Sequence, residues 1–309
     1  MIMIKKKIIL MVAGIGILGV FCNIRCPEAR AASVRINETN FPDLYFRAYV
    51  EAEFDKNGDG KLDYGERAAV KKLDVGETSE YRLAYEYLPA ETLKGVEYFP
   101  NLETLDCSGS MLERLNVSNN KKLKTLRCQT NALTKLDVSK NKKLVLLNCR
   151  DNRLKKLNVS KNRRLTQLYV SGNRIKKLDV TRLKKLQELS ADQNRLRKLD
   201  LKNNHLLHYL SCADNQIITG NFGIGRKELE YVNVERQSRR IRVKKIKGGY
   251  LVPLPGLART NVLSHISKGK AGSKGIRIRG KKLPKKITYQ YNMFTNGKKK
   301  TRVTLYLKK

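Results

Sequence analysis

Carboxylates are scarce in this sequence: 28 Asp and Glu stand against 65 Lys and Arg, a formal net charge of +37 over 309 residues. From Arg236 to Lys309 there is no Asp or Glu at all. Such a chain repels itself and attracts polyanions, so nucleic acid, anionic membrane and anionic cell-wall polymers are the partner classes that charge favours. Histidine is as scarce. His205, His208 and His265 are the only three, and none stands in a recognisable catalytic arrangement, so no enzymatic activity is expected. Long apolar runs are nearly absent. Ile8 to Phe21 is uncharged, but its 14 residues fall short of the roughly 20 that span a bilayer, and no later segment is apolar enough to do so.

That run is bounded by Lys5, Lys6 and Lys7 before it and Ala29-Arg30-Ala31 after it, the pattern of an export signal over residues 1–31, either removed or retained as an anchor. Cys22 and Cys26 follow Phe21 and Arg25, where a lipoprotein signal needs a small residue. Cleavage after Ala31 would remove five cations and Glu28, leaving +33 of the +37. Four cysteines then remain: Cys107, Cys128, Cys149 and Cys212. An even number in an exported chain suggests disulfides, but their spacing points elsewhere.

What is abundant is a repeat. Leu102, Leu123, Leu144, Leu165, Leu186 and Leu207 each begin a unit, 21 residues apart, and a further rung is expected at Leu229–Val234. A single coil of this kind cannot bury its own apolar face, so coils must stack. Parallel strands lie about 4.8 Å apart, and equal positions superpose. Leu105, Leu126, Leu147, Leu168, Leu189 and Leu210 then form one apolar column. Cys107, Cys128, Cys149, Val170, Ala191 and Cys212 form another, in which cysteine acts as a small apolar filler. Asn131, Asn152, Asn173, Asn194 and Asn215 form a third. Their amides are expected to bond the backbone where the chain leaves the strand, with Ser118, Ser139, Ser160 and Thr181 serving the second corner.

Units such as LKTLRCQTNAL resemble the leucine-rich-repeat consensus, and the short unit with its LDVS half is similar to bacterial surface repeat proteins of Gram-positive type, internalin-like though distinct from internalins. The resemblance covers roughly Leu102 to Val234 and implies a β-rich solenoid of parallel strands, a secreted or cell-surface location and a protein or glycan partner. Alternation along each strand turns the third, fifth and seventh positions outward. These include Ser108, Arg127, Leu146, Asn148, Arg150, Gln167, Tyr169, Ser171, Glu188, Asp192, Tyr209 and Ala213, a face of mixed charge. Tyrosine is a frequent interface anchor, so Arg127, Leu146, Asn148, Arg150, Gln167, Tyr169, Glu188, Asp192 and Tyr209 are the candidate partner-binding residues. Basic pairs such as Lys121-Lys122, Lys155-Lys156 and Lys176-Lys177 fall on other sides of the coil and should stack into cationic rows.

Before the repeats, residues 55–66 fit the twelve-residue EF-hand loop. Asp55, Asn57, Asp59, Asp63 and Glu66 offer side-chain oxygens and Lys61 its carbonyl, with Gly60 for the sharp turn and Leu62 packing behind. One structural Ca2+ is expected there. Phe41, Leu44, Tyr45, Tyr49 and Phe54 can stripe an entering helix with Pro42 in its first turn, and Glu66 to Leu73 can form the exiting helix. The block resembles the helical caps of bacterial surface repeat proteins, and a cap is needed to cover the first coil.

After the repeats, alternating runs at Ile241–Ile246, Ile276–Arg279, Ile287–Tyr291 and Thr301–Leu307, with an Asn296-Gly297 turn, suggest a small β domain. Arg239, Arg240, Arg242, Lys244, Lys245, Lys298, Lys299 and Lys300 are its candidate polyanion-binding residues. Tyr289, Tyr291 and Phe294 among the cations would also suit single-stranded nucleic acid, although no nucleic-acid-binding fold signature accompanies them. With export, wall polymer or anionic lipid is the favoured target. The chain thus divides into a signal segment (1–31), a helical cap (32–101), a solenoid (102–235) and a basic β region (236–309). Its expected function is that of an exported binding protein, held at the surface by its basic regions. A calcium-stabilised structural module or a polyanion or nucleic-acid binder is the alternative.

Overall fold

The computed structural model describes residues 32–78, 89–218, 222–223, 229–254, 263–291 and 301–309. The signal segment, the Asn296-Gly297 turn, Phe294 and Lys298, Lys299 and Lys300 lie outside them. No helix among the described residues is long and apolar enough to cross a membrane.

The cap begins with β1 (Val34–Arg35), which pairs antiparallel with β2 (Lys61–Leu62). Between them runs α1 (Leu44–Phe54), capped by Asp43, whose carboxylate accepts from Phe46 N at 2.9 Å. The same carboxylate accepts from Glu91 N at 2.8 Å and so ties the helix start to the chain entering the first full repeat. Pro42 precedes the cap rather than lying in the first turn. The buried stripe is Phe46, Tyr49 and Val50, whereas Leu44 is 60% exposed, so the expected stripe is displaced by two positions at its start. Edge-on aromatic contacts join Tyr49 to Phe54 and Phe54 to Phe99, sealing the end of the coil.

The exiting helix, α2 (Tyr64–Ala69), is shorter than expected. Val70 is already extended, and Lys72–Asp74 form β3. Leu73 registers against Leu105 and is fully buried, which outweighs the weak helical preference of a short segment. The sheet therefore starts one rung before the first complete repeat.

Beyond it come β4 (Thr104–Asp106), β5 (Thr125–Arg127), β6 (Leu146–Asn148), β7 (Gln167–Tyr169), β8 (Glu188–Ser190), β9 (Tyr209–Ser211) and β10 (Tyr231–Asn233). Together with β3 they make an eight-stranded, wholly parallel sheet in sequence order. The expected leucine column is in register, Leu105 to Leu126 to Leu147 to Leu168 to Leu189 to Leu210, all fully buried. The rung expected at Leu229–Val234 is β10, with Val232 opposite Leu210.

Two asparagine ladders hold the corners. At the first, Asn152 Nδ2 donates to the carbonyls of Cys128 (2.9 Å), Arg150 (3.0 Å) and Cys149 (3.3 Å), while its Oδ1 accepts from Leu133 N at 2.9 Å. Asn131, Asn173, Asn194 and Asn215 repeat this pattern. Gln237 replaces asparagine after the last rung, donating to Cys212 O at 2.8 Å and accepting from Ile217 N at 3.1 Å. The second corner differs from expectation. Its buried amides are Asn120, Asn141, Asn162 and Asn204, each donating to two carbonyls of the coil before it, with Leu183 taking the fourth place. Ser118, Ser139, Ser160 and Thr181 instead give their backbone N–H to the side chain two residues earlier, as in Ser139 N to Asp137 Oδ1 at 2.9 Å.

The four cysteines are free and fully buried, as a filler column requires. Burial pushes the Cys149 thiol up to about 12, and the other three move in the same direction for the same reason. None holds a thiolate near neutral pH, so the column is chemically inert.

The basic region forms two sheets. The first orders β11 (Gln237–Arg242), β17 (Thr301–Lys308) and β16 (Lys286–Tyr291). The second orders β12 (Lys244–Ile246), β13 (Gly249–Pro253), β15 (Gly275–Arg279) and β14 (Lys270–Gly272). β13 and β14 are additions to the expected strands. Tyr289 and Tyr291 have no exposed surface, and the Tyr289 hydroxyl donates to Ile218 O at 2.5 Å. Tyr289 ties this region to the end of the solenoid, and neither tyrosine is available for stacking on bases; Phe294 lies outside the described residues.

Candidate functional site

Strand alternation builds the sheet face from two aligned rows. One runs Lys72, Thr104, Thr125, Leu146, Gln167, Glu188, Tyr209, Tyr231, and the other runs Asp74, Asp106, Arg127, Asn148, Tyr169, Ser190, Ser211, Asn233. Arg150, Asp192 and Glu235 follow at the strand ends. Both signs and four bulky apolar or aromatic side chains share this face, in a chain whose other surfaces are lysine- and arginine-rich.

The structure joins several of the candidate residues. Glu188 accepts from Gln167 Nε2 at 2.9 Å and from the Tyr169 hydroxyl. The Tyr169 bond holds the Glu188 carboxyl below the usual carboxylate range, and burial followed by that same bond raises the tyrosine. Asp192 accepts from Ser211 Oγ at 2.5 Å and Ala213 N at 2.8 Å, and Ser171 Oγ reaches its other oxygen at 3.2 Å. Tyr209 stacks on Tyr231, with ring centres 4.5 Å apart and planes 9° from parallel. Tyr231 is 44% exposed. The repeat pattern did not mark it because its rung is one residue longer than the others, but a tyrosine opposite Tyr209 was there to be read. Arg127, Leu146 and Asn148 lie half-buried along the same rows, and Arg150 is exposed beside them.

One expectation needs correction. Ser108, Ser171, Ser190, Ser211 and Ala213 fall at positions expected to face outward, yet all five are buried. After the strand the chain turns through a left-handed residue in each rung: Gly109, Thr130, Asp151, Gly172, Gln193, Asp214 and Arg236. The preceding side chain is buried where it is small, at Ser108, Ser171 and Ala213, and half-buried and hydrogen-bonded at Asp192, whereas Arg150 and Glu235 at the same position extend into solvent.

In the loop of residues 55–66, Gly58 and Gly60 take positive φ of 71° and 72°. Asp55 accepts from Gly58 N (2.8 Å) and Gly60 N (2.9 Å), Asn57 from Asp59 N (3.0 Å) and Asp59 from Lys61 N (2.9 Å). Glu66 spans the loop, accepting from Lys56 N at 2.8 Å and Asp63 N at 2.9 Å, and Asp63 caps α2. Leu62 is fully buried behind the loop. β1 occupies the strand edge of Lys61–Leu62, which in a paired arrangement a second loop would fill. The set of hard oxygens and the turns fit Ca2+. The carboxylates rest on backbone amides, and no three acidic, His or Cys side chains converge on one point among the described residues.

In the basic region, alternation separates the candidate cations. Arg240, Arg242, Lys244 and Lys245 are exposed. Arg239 shares the inward side of β11 with Gln237 and Ile241 and is half-buried; that burial, and then the like charge of Arg197, depress its guanidinium, with Tyr289 acting in the opposite direction. It is a junction residue, less suited to a polyanion than its neighbours.

No protein-family model matches the chain, and neither does any curated protein. Among solved structures it is similar to the functional domain of InlJ from Listeria monocytogenes, which includes a cysteine ladder (16% identity, 91% of this chain, 100% of that one, TM-score 0.41). It is also similar to internalin C2 of Listeria monocytogenes (20% identity, 61% and 91%, TM-score 0.45). A third is a leucine-rich-repeat protein of Leptospira interrogans (22% identity, 57% and 55%, TM-score 0.47). The register of the parallel sheet and its asparagine corners establish the architecture: the chain is a β-rich leucine-rich-repeat solenoid with a small helical cap and a basic β region behind it.

Proposed function

We propose that this chain is an exported, non-enzymatic binding protein that recognises a protein or glycan partner through its sheet face and is retained at the cell surface by anionic wall polymer. The separation of chemistries carries this reading. The sheet face has carboxylates held in place by neighbouring rungs, stacked tyrosines and both charge signs, while exposed cations line the other sides. Repeat solenoids use such faces for partners, and buried or half-buried tyrosines supply most of the energy at many interfaces. The test uses the intact chain on isolated cell envelopes. Wild type should be released by about 1 M salt, because exposed charge pairs are screened, and capture of one defined partner should be lost in Tyr169→Ala/Tyr209→Ala with polymer retention unchanged. Retention through high salt rejects the electrostatic part, and unchanged capture by the double variant rejects the sheet face.

A second reading, compatible with the first, rests on the loop of residues 55–66: Ca2+ stiffens the cap. Asp55, Asn57, Asp59, Asp63, Glu66 and the Lys61 carbonyl would hold the ion, which neutralises crowded carboxylates that otherwise repel.

A further inference from the structure

The second sheet of the basic region opposes like charges. In its register Lys244, Leu251, Arg277 and Lys270 stand in one row across β12, β13, β15 and β14, and Lys270 faces Arg277 directly. Like charges directly opposite on neighbouring strands destabilise a sheet, and the sequence supplies no carboxylate after Glu235 to answer them. The buried side of the same strands is apolar: Tyr250, Val252, Ile276 and Ile278. Lys244, Lys270, Arg277 and Arg279 share the opposite side and are exposed, while Lys245, in the row of Tyr250 and Ile278, is exposed at the sheet edge.

Where β14 begins at Lys270, β15 runs on to Ile278 and Arg279 with a partner on only one side. The segment after β15 folds back there and closes a groove of about 860 Å³. Six cations line it: Lys268, Lys270, Arg277, Arg279, Lys282 and Lys285. Ile278, Leu283 and Pro284 add apolar surface between the charges. The groove is too large for a single small anion and its lining alternates charge with apolar contact. That is the complement of a chain in which phosphates alternate with short uncharged units. Guanidinium forks match phosphate oxygens, and lysines add mobile point charges.

We propose that this groove is a binding site for a linear phosphodiester polymer, with Lys270 and Arg277 at its centre. The proposal rests on the polymer-retention half of the function above and gives it a location. Occupancy would turn the opposed Lys270–Arg277 pair from a repulsion into a shared contact, so the groove is more than one more part of a diffusely basic surface. The rows on the solenoid, such as Lys156 and Lys177, lie on separate stacked coils and are exposed.

The experiment measures binding of the intact mature chain to a glycerol-phosphate oligomer of several units, to inorganic phosphate and to phosphatidylglycerol vesicles. Three proteins are compared: wild type, Lys270→Gln/Arg277→Gln, and Lys156→Gln/Lys177→Gln, which loses the same charge elsewhere. The groove variant should bind the oligomer at least tenfold more weakly and show a shallower salt dependence, since fewer counter-ions are exchanged. The solenoid variant should change by no more than about twofold, and inorganic phosphate should not compete at millimolar concentration. Melting of the groove variant at low salt should be unchanged or raised, because a repulsion has been removed, so a binding loss is not a folding loss. Equal losses in the two variants, or an unchanged groove variant, overturn the site. Tighter binding to vesicles than to oligomer overturns the assignment to polymer. No binding of wild type to any probe overturns the retention reading itself, a result distinct from the first two.

Discussion

At the scale of single residues, the two asparagine corners look alike in sequence but are not equal in energy. Asn152 satisfies three carbonyls and one N–H. Asn162 satisfies two carbonyls, and the equivalent place at Leu183 tolerates an apolar side chain. Asn152→Ala should therefore cost about 3 kcal/mol, since buried backbone groups lose their partner, and Asn162→Leu about 1 kcal/mol, both read by urea unfolding. Equal costs would contradict this ranking. Thr130 offers the opposite sign. It is a β-branched residue at φ 56°, and Thr130→Gly should raise stability by about 0.5–1 kcal/mol, the left-handed penalty less glycine's entropy. On the sheet face, Tyr169→Phe removes the donor that depresses Glu188. A depressed carboxylate contributes stability above its unfolded pKa and loses it as pH falls through its folded one. The variant should move the Glu188 titration up toward the ordinary range, as followed by carboxyl NMR, and flatten the acid limb of the stability curve. An unmoved Glu188 would mean that another group sets its titration.

At the scale of elements, legibility followed repetition. The leucine column and the first asparagine column each repeat one residue type at one spacing, the cysteine column repeats a small apolar residue, and stacking makes such positions equivalent, so they could be read without coordinates. The second corner was missed because its asparagines sit in polar runs such as Asn119-Asn120-Lys121-Lys122, where a fully buried amide looks like surface. β3 was missed for a similar reason. Only Leu73 carries the pattern, and tertiary pairing with β4 made the strand. The buried stripe of α1 depends on what packs over it, which periodicity alone does not specify. In the basic region the aromatics looked like a stacking platform, yet Tyr289 and Tyr291 are core. In the loop at 55–66 the sharp turn at Gly60 was legible because the pattern lies within one short segment, and that the loop holds Ca2+ is our proposal. Its prediction is a rise in melting temperature with Ca2+ that disappears in Asp55→Ala. Glu66→Ala should also lower the metal-free melting temperature, since Glu66 closes the capping box of α2. An equal calcium shift in Asp55→Ala would rule out the loop as the site.

For the whole molecule, the repeat register does two things at once. It stacks apolar and amide columns into the core, and it sorts exposed residues by position, so that the sheet face stays mixed while the remaining sides collect lysine and arginine. Sequence alone gave the rows, whereas the polar network around Glu188 and Asp192 and the stacking of Tyr209 on Tyr231 needed the coordinates, because they join neighbouring rungs. The most direct test of this division places a photo-crosslinking residue at Tyr209 on the sheet face or at Lys177 on a cationic row, in the intact protein bound to its own cell envelopes. The Tyr209 position should yield one discrete adduct with a protein or glycan, and the Lys177 position only heterogeneous adducts that vanish in high salt. The same discrete adduct from both positions, or from Lys177 alone, would contradict the account.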